Sequence, residues 1–61
     1  MEKWTVKFQG THKNDGAMEW RELCLGNKTT VDAWAVMRVE QYQEYFLDLT
    51  SHPFDTELLD G

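Results

Sequence analysis

The chain has one cysteine, one proline and, after residue 30, a single Lys or Arg. Cys24 alone cannot close an intrachain disulfide, and a secreted domain this small ordinarily carries several cysteines. A reducing, cytoplasmic setting is therefore expected, with Cys24 packed as a small buried hydrophobe. No apolar run approaches the ~18 residues of a membrane span. Met1-Glu2-Lys3-Trp4 lacks the apolar stretch of a signal peptide. The expectation is a soluble protein with no membrane partner.

Residues 1–61 leave room for one domain. A domain of this size buries about 60% of the surface its unfolded chain exposes, and its net stability is on the order of 3–5 kcal/mol. A deep pocket is not expected.

Catalytic and metal-binding residues are also scarce. His12 falls in a loop, His52 precedes Pro53, and Cys24 falls in a strand. No spacing brings the three together as a nucleophile with its base. No CxxC or HxxxH pairing offers a metal two neighbouring ligands. Gly26-Asn27-Lys28-Thr29 lacks the upstream glycine of a phosphate loop and reads as a turn with a helix cap. No enzyme activity, metal or cofactor is expected.

Charge is unevenly placed. Residues 1–30 carry five Lys/Arg against four Asp/Glu. Residues 31–61 carry Arg38 against seven acids, within a net charge of −5. Phosphate contacts need clustered cations, so direct nucleic-acid binding is not expected. An acidic half suits a partner with a basic surface.

What the chain does have is pattern. Trp4, Val6 and Phe8 alternate with Thr5, Lys7 and Gln9, as in a strand with one buried face. Gly10–Gly16 is turn chemistry and predicts a long hairpin loop. A second strand follows over Met18–Leu25. Its alternation is imperfect, because Met18, Trp20 and Cys24 share parity with Glu22. Either a bulge separates Trp20 from Leu23, or Trp20 lies on the exposed face. Thr29 is expected as the next helix's N-cap, with Asp32 in its first turn.

The next stretch fits one long helix or a shorter helix followed by a strand at Tyr45-Phe46-Leu47. At 100° per residue, Val31, Trp34, Ala35, Val39, Tyr42, Tyr45, Phe46 and Leu49 fall within an arc of about 140°, with Arg38 alone intruding. One continuous helix from Thr30 to Leu49 is therefore expected, ended by Thr50-Ser51-His52-Pro53. Phe54–Leu59 reads as a third strand. The expected fold class is α+β: a β-β-α-β two-layer sandwich, with a three-stranded antiparallel sheet in the order 2-1-3 under one long helix.

Three Trp, two Tyr and three Phe are a heavy aromatic load for 61 residues, and such residues dominate protein interfaces. Trp34 falls at the margin of the apolar arc, and Met37 and Val36 fall outside it. Trp34, Met37, Gln41 and Glu44 are the expected partner-binding residues, with Trp20 as a further anchor.

Met1-Glu2, Val6, Phe8, Gly10 and Lys13-Asn14 together form a pattern that resembles the start of the Dmd antitoxin family of T-even phages. The resemblance continues in Val31 and Trp34-Ala35 of the helix and in a short acidic last strand ending at Gly61. It implies the same β-β-α-β fold and an inhibitor acting in the host cytoplasm; a monomer is expected. The partner it implies is a toxin endoribonuclease of the RnlA/LsoA type, whose active site the inhibitor blocks. The alternative is an acidic nucleic-acid mimic acting on another defence or polymerase enzyme through Glu40, Glu44 and Asp48.

Overall fold

The computed structural model describes residues 1–50 and 55–59. The class is α+β, as expected. Strands β1 (Lys3–His12) and β2 (Gly16–Leu25) form a long hairpin, followed by helix α1 (Lys28–Tyr42), a 3-10 turn (Gln43–Tyr45), β3 (Phe46–Leu49) and β4 (Thr56–Leu59). The sheet is antiparallel throughout. β2 pairs one edge of β1, while β3 and β4 share the other. The best-patterned strand is central, as expected, but the sheet has four strands among the described residues and not three: the expected third strand is β4, and β3 is an addition.

The hairpin is longer and tighter than expected. Its pairing runs unbroken from Lys3↔Leu25 to His12↔Gly16. The chain reverses through Lys13-Asn14-Asp15 and enters β2 at Gly16 with φ of 78°, a left-handed conformation that suits glycine. His12 Nδ1 holds the tip, accepting from the backbone N–H groups of Asn14 and Asp15 at 3.1 Å each.

Because the register is unbroken, neither expectation for β2 holds. There is no bulge, and Trp20 faces inward. Met18, Trp20, Glu22 and Cys24 all share the helix-facing side with Phe8, Val6 and Trp4, while Leu23 and Leu25 are turned to the open face.

The helix differs in both its ends. Its N-cap is Asn27, not Thr29: Asn27 Oδ1 accepts from Thr30 N at 2.8 Å. Asp32 lies beyond the first turn and pairs with Lys28 at 2.6 Å across one helical turn. The helix stops at Tyr42 instead of continuing to Leu49, and Phe46–Leu49 forms β3. The physical reason lies in β1. Its ten residues offer a second edge that β4 covers only from Lys3 to Val6, and β3 pairs the remaining end, Gly10 to His12. Backbone hydrogen bonds to that edge compete with continuation of the helix.

Gly10 makes the approach of β3 possible. A Cβ there would lie 2.2 Å from Asp48 O and 3.0 Å from Leu49 Cα. Asp48 adds a side-chain bond, its Oδ1 accepting from Thr11 N at 2.7 Å. Thr50, the first residue of the expected helix stop, instead follows β3, and β4 begins at Thr56; Ser51-His52-Pro53 and Phe54 lie outside the described residues.

The core lies between sheet and helix. Val6, Phe8 and Cys24 of the hairpin meet Val31, Ala35 and Val39 of α1, and Trp4, Trp20, Trp34 and Leu49 pack around them. Phe8 is the centre. It stacks on Trp20 (5.5 Å) and meets Trp34 and Tyr42 edge-on at 6.1 and 6.4 Å. Truncating so central a ring costs about 3–5 kcal/mol, comparable to the whole stability of so small a domain. Burial pushes the Cys24 thiol above its ordinary pKa, as for a structural rather than a reactive cysteine.

Candidate partner-binding surface

Helix α1 is a two-sided element. Val31, Ala35 and Val39 are buried, and the opposite side presents Ala33, Val36, Met37, Glu40 and Gln41 to solvent. Val36 is 45% exposed and Met37 57%, so an apolar pair stands in the open on a helix whose core face is already filled. Glu44 continues the acidic surface from the 3-10 turn, where its neighbouring carboxylate raises the pKa of the Tyr45 phenol.

Charge on this side is one-signed. Lys28 is paired with Asp32, and Arg38 is turned inward. Arg38 Nη2 lies 2.7 Å from Glu22 Oε1, and its Nε donates to the same oxygen at 3.1 Å. Arg38 Nη1 donates to Gln41 Oε1 at 2.7 Å, and the guanidinium lies 4.7 Å from the Tyr42 ring centre and 5.8 Å from that of Trp34. The Tyr42 hydroxyl accepts from Arg38 Nη2 and donates to Glu22 Oε2 at 3.0 Å. Trp20 Nε1 donates to that second oxygen at 2.8 Å. Burial pushes the Glu22 carboxyl pKa up, but hydrogen bonds from Trp20, Arg38 and Tyr42 and the Arg38 charge outweigh it, leaving a net depression.

The expected site residues thus divide. Met37, Gln41 and Glu44 are exposed on one side of the helix and the turn that follows it. Trp34 is half-buried at the margin of that side, its ring against Phe8. Trp20 stands apart, stacked between Phe8 and Phe46 at 5.5 Å from each, and works as a core residue with a polar edge. Asp48 does not share a helix face with Glu40 and Glu44, because it belongs to β3.

Sequence reasoning named Val36 as off the apolar arc without counting it in the surface. It missed the role of Glu22. The signal was present in the strict parity of Met18, Trp20, Glu22 and Cys24, and in Arg38 on the apolar side of the helix.

Among the described residues no cluster of His, Cys, Asp or Glu is arranged to hold a metal, and no helix is long and apolar enough to cross a membrane. Comparison with family models, with curated proteins and with solved structures finds no match to this chain.

Proposed function

We propose that this protein is a stoichiometric inhibitor that docks through the solvent face of α1 on a basic protein partner. The partner class that the Dmd-like pattern suggests is a toxin endoribonuclease of the RnlA/LsoA type, met in the cytoplasm of the host cell and blocked at its active site. The observation that carries this reading is the exposed Val36–Met37 pair, framed by Glu40, Gln41 and Glu44. Apolar contact at the centre of an interface supplies most of its affinity, while surrounding charge of one sign steers association toward a basic cleft. Trp34 would contribute the open edge of its ring, already fixed in place by Phe8.

The test is complex formation between the purified chain and such an endoribonuclease, followed by calorimetry and an RNA-cleavage assay. A 1:1 complex that stops cleavage is expected. Met37→Lys should weaken it by at least about tenfold, with Glu40→Lys and Glu44→Lys slowing association in low salt. Failure to bind, or binding indifferent to Met37→Lys, would overturn the reading. The nucleic-acid-mimic alternative is less well supported, since Asp48 lies off the helix and engages Thr11 N.

A further inference from the structure

The outer edge of β2 is a ten-residue row with no neighbouring strand among the described residues. The Gly26 N–H donates to Glu2 O at 2.9 Å, one step beyond the Lys3↔Leu25 pair. Alternation of an antiparallel ladder then turns the backbone groups of the even positions of β2 toward β1. Those of Ala17, Glu19, Arg21 and Leu23 point away from it. Proteins commonly guard such an edge with proline, lysine or a bulge. β2 contains neither residue, and its register is unbroken.

The side chains on this edge are self-complementary. We propose that β2 pairs antiparallel with β2 of a second copy about a two-fold axis at Trp20, with Glu19 of each chain opposite Arg21 of the other. Ala17 then lies opposite Leu23, which is 62% exposed in the single chain, and Met18 opposite Glu22. The register supplies roughly eight new backbone hydrogen bonds from Ala17 through Leu23. It also places two unlike charge pairs on the open face of the joined sheet. A shift of one step in either direction sets Arg21 opposite Arg21 or Glu19 opposite Glu19, so charge selects the register. Glu19 and Arg21 already belong to an ionic row with Lys7 (2.7 Å from Glu19) and Asp55 (3.1 Å from Arg21), which the second copy extends. The isologous contact closes on itself and replaces the monomer expected from the sequence. It uses no residue of the α1 surface, so it stands or falls separately from the inhibitor reading.

Sedimentation velocity of the purified chain from about 5 to about 500 µM tests the pairing. A concentration-dependent dimer is expected. Glu19→Arg or Arg21→Glu alone should weaken it by about tenfold or more, and the double reversal should recover most of the loss. Leu23→Pro removes one outward N–H without touching the β1 ladder, so it should give a monomer whose circular dichroism spectrum matches that of the parent chain at low concentration. A chain that stays monomeric throughout overturns the proposal, including the case in which the edge takes a strand from a different protein. A dimer indifferent to Leu23→Pro and to the single reversals overturns it as well.

Discussion

Glu22 and Arg38, sixteen positions apart, meet at 2.7 Å between β2 and α1. The Glu22 side chain stands on the helix-facing side of the sheet and is left 20% exposed, while that of Arg38 is 28% exposed. Neither could sit there alone, because an unpaired charge in a largely dry site is costly. Glu22→Ala would strand donors on Trp20, Arg38 and Tyr42, and a loss of about 1–3 kcal/mol in urea unfolding is expected. A cycle with Arg38→Met should return a coupling of at least about 0.5 kcal/mol. Additive losses would mean the pair is incidental.

The same carboxylate makes stability depend on pH. Its folded pKa lies below the ordinary 4.5, so the unfolded chain binds its proton more readily. The contribution is complete above 4.5 and fades as pH falls through the lower folded value. The stability gap between the parent chain and Glu22→Gln should therefore be wide near pH 6 and narrow toward about pH 3. Tyr42 acts in the opposite sense. Burial and Glu22 raise its pKa above 10.0, so its contribution is complete below 10.0 and fades only above that pH.

Gly10 should tolerate no side chain. An added Cβ meets backbone atoms of Asp48 and Leu49, not the flexible end of a side chain. Gly10→Ala is expected to cost about 1–3 kcal/mol by overpacking. It should also release the Thr50 N–H to Gln9 O bond, read as faster amide exchange at Thr50. Gly16→Ala, where nothing lies within 4 Å but φ is positive, should leave that exchange unchanged.

Two tryptophans separate hydrogen bonding from packing. Trp20 Nε1 reaches Glu22 at 2.8 Å, whereas Trp4 Nε1 is buried without a partner among the described residues. Trp20→Phe should cost at least about 1 kcal/mol more than Trp4→Phe in chemical denaturation, since only the first discards a satisfied bond to a charged group. Equal losses would assign both residues to packing alone.

Local sequence was enough to determine the alternating part of β1, the identity of much of the core and the central place of β1. Alternation at Trp4, Val6 and Phe8 leaves one way to bury three large side chains, and Val31, Ala35 and Val39 share one helical stripe. The exposure of Met37 followed from the same arithmetic.

Two features depended on the tertiary structure. Tyr45-Phe46-Leu47 satisfies a helical and an extended pattern alike, and only the unpaired end of β1 turns Phe46–Leu49 into a strand. Glu22 looks misplaced on an inward face until Arg38 arrives from another element to neutralise it. The helix start at Asn27 is local by contrast: its side chain reaches Thr30 N three residues on, in a turn where Gly26 takes φ of 142°. Periodicity records which side a residue prefers, whereas hydrogen-bond partners and countercharges come from segments distant in the chain and exist only once the layers have met.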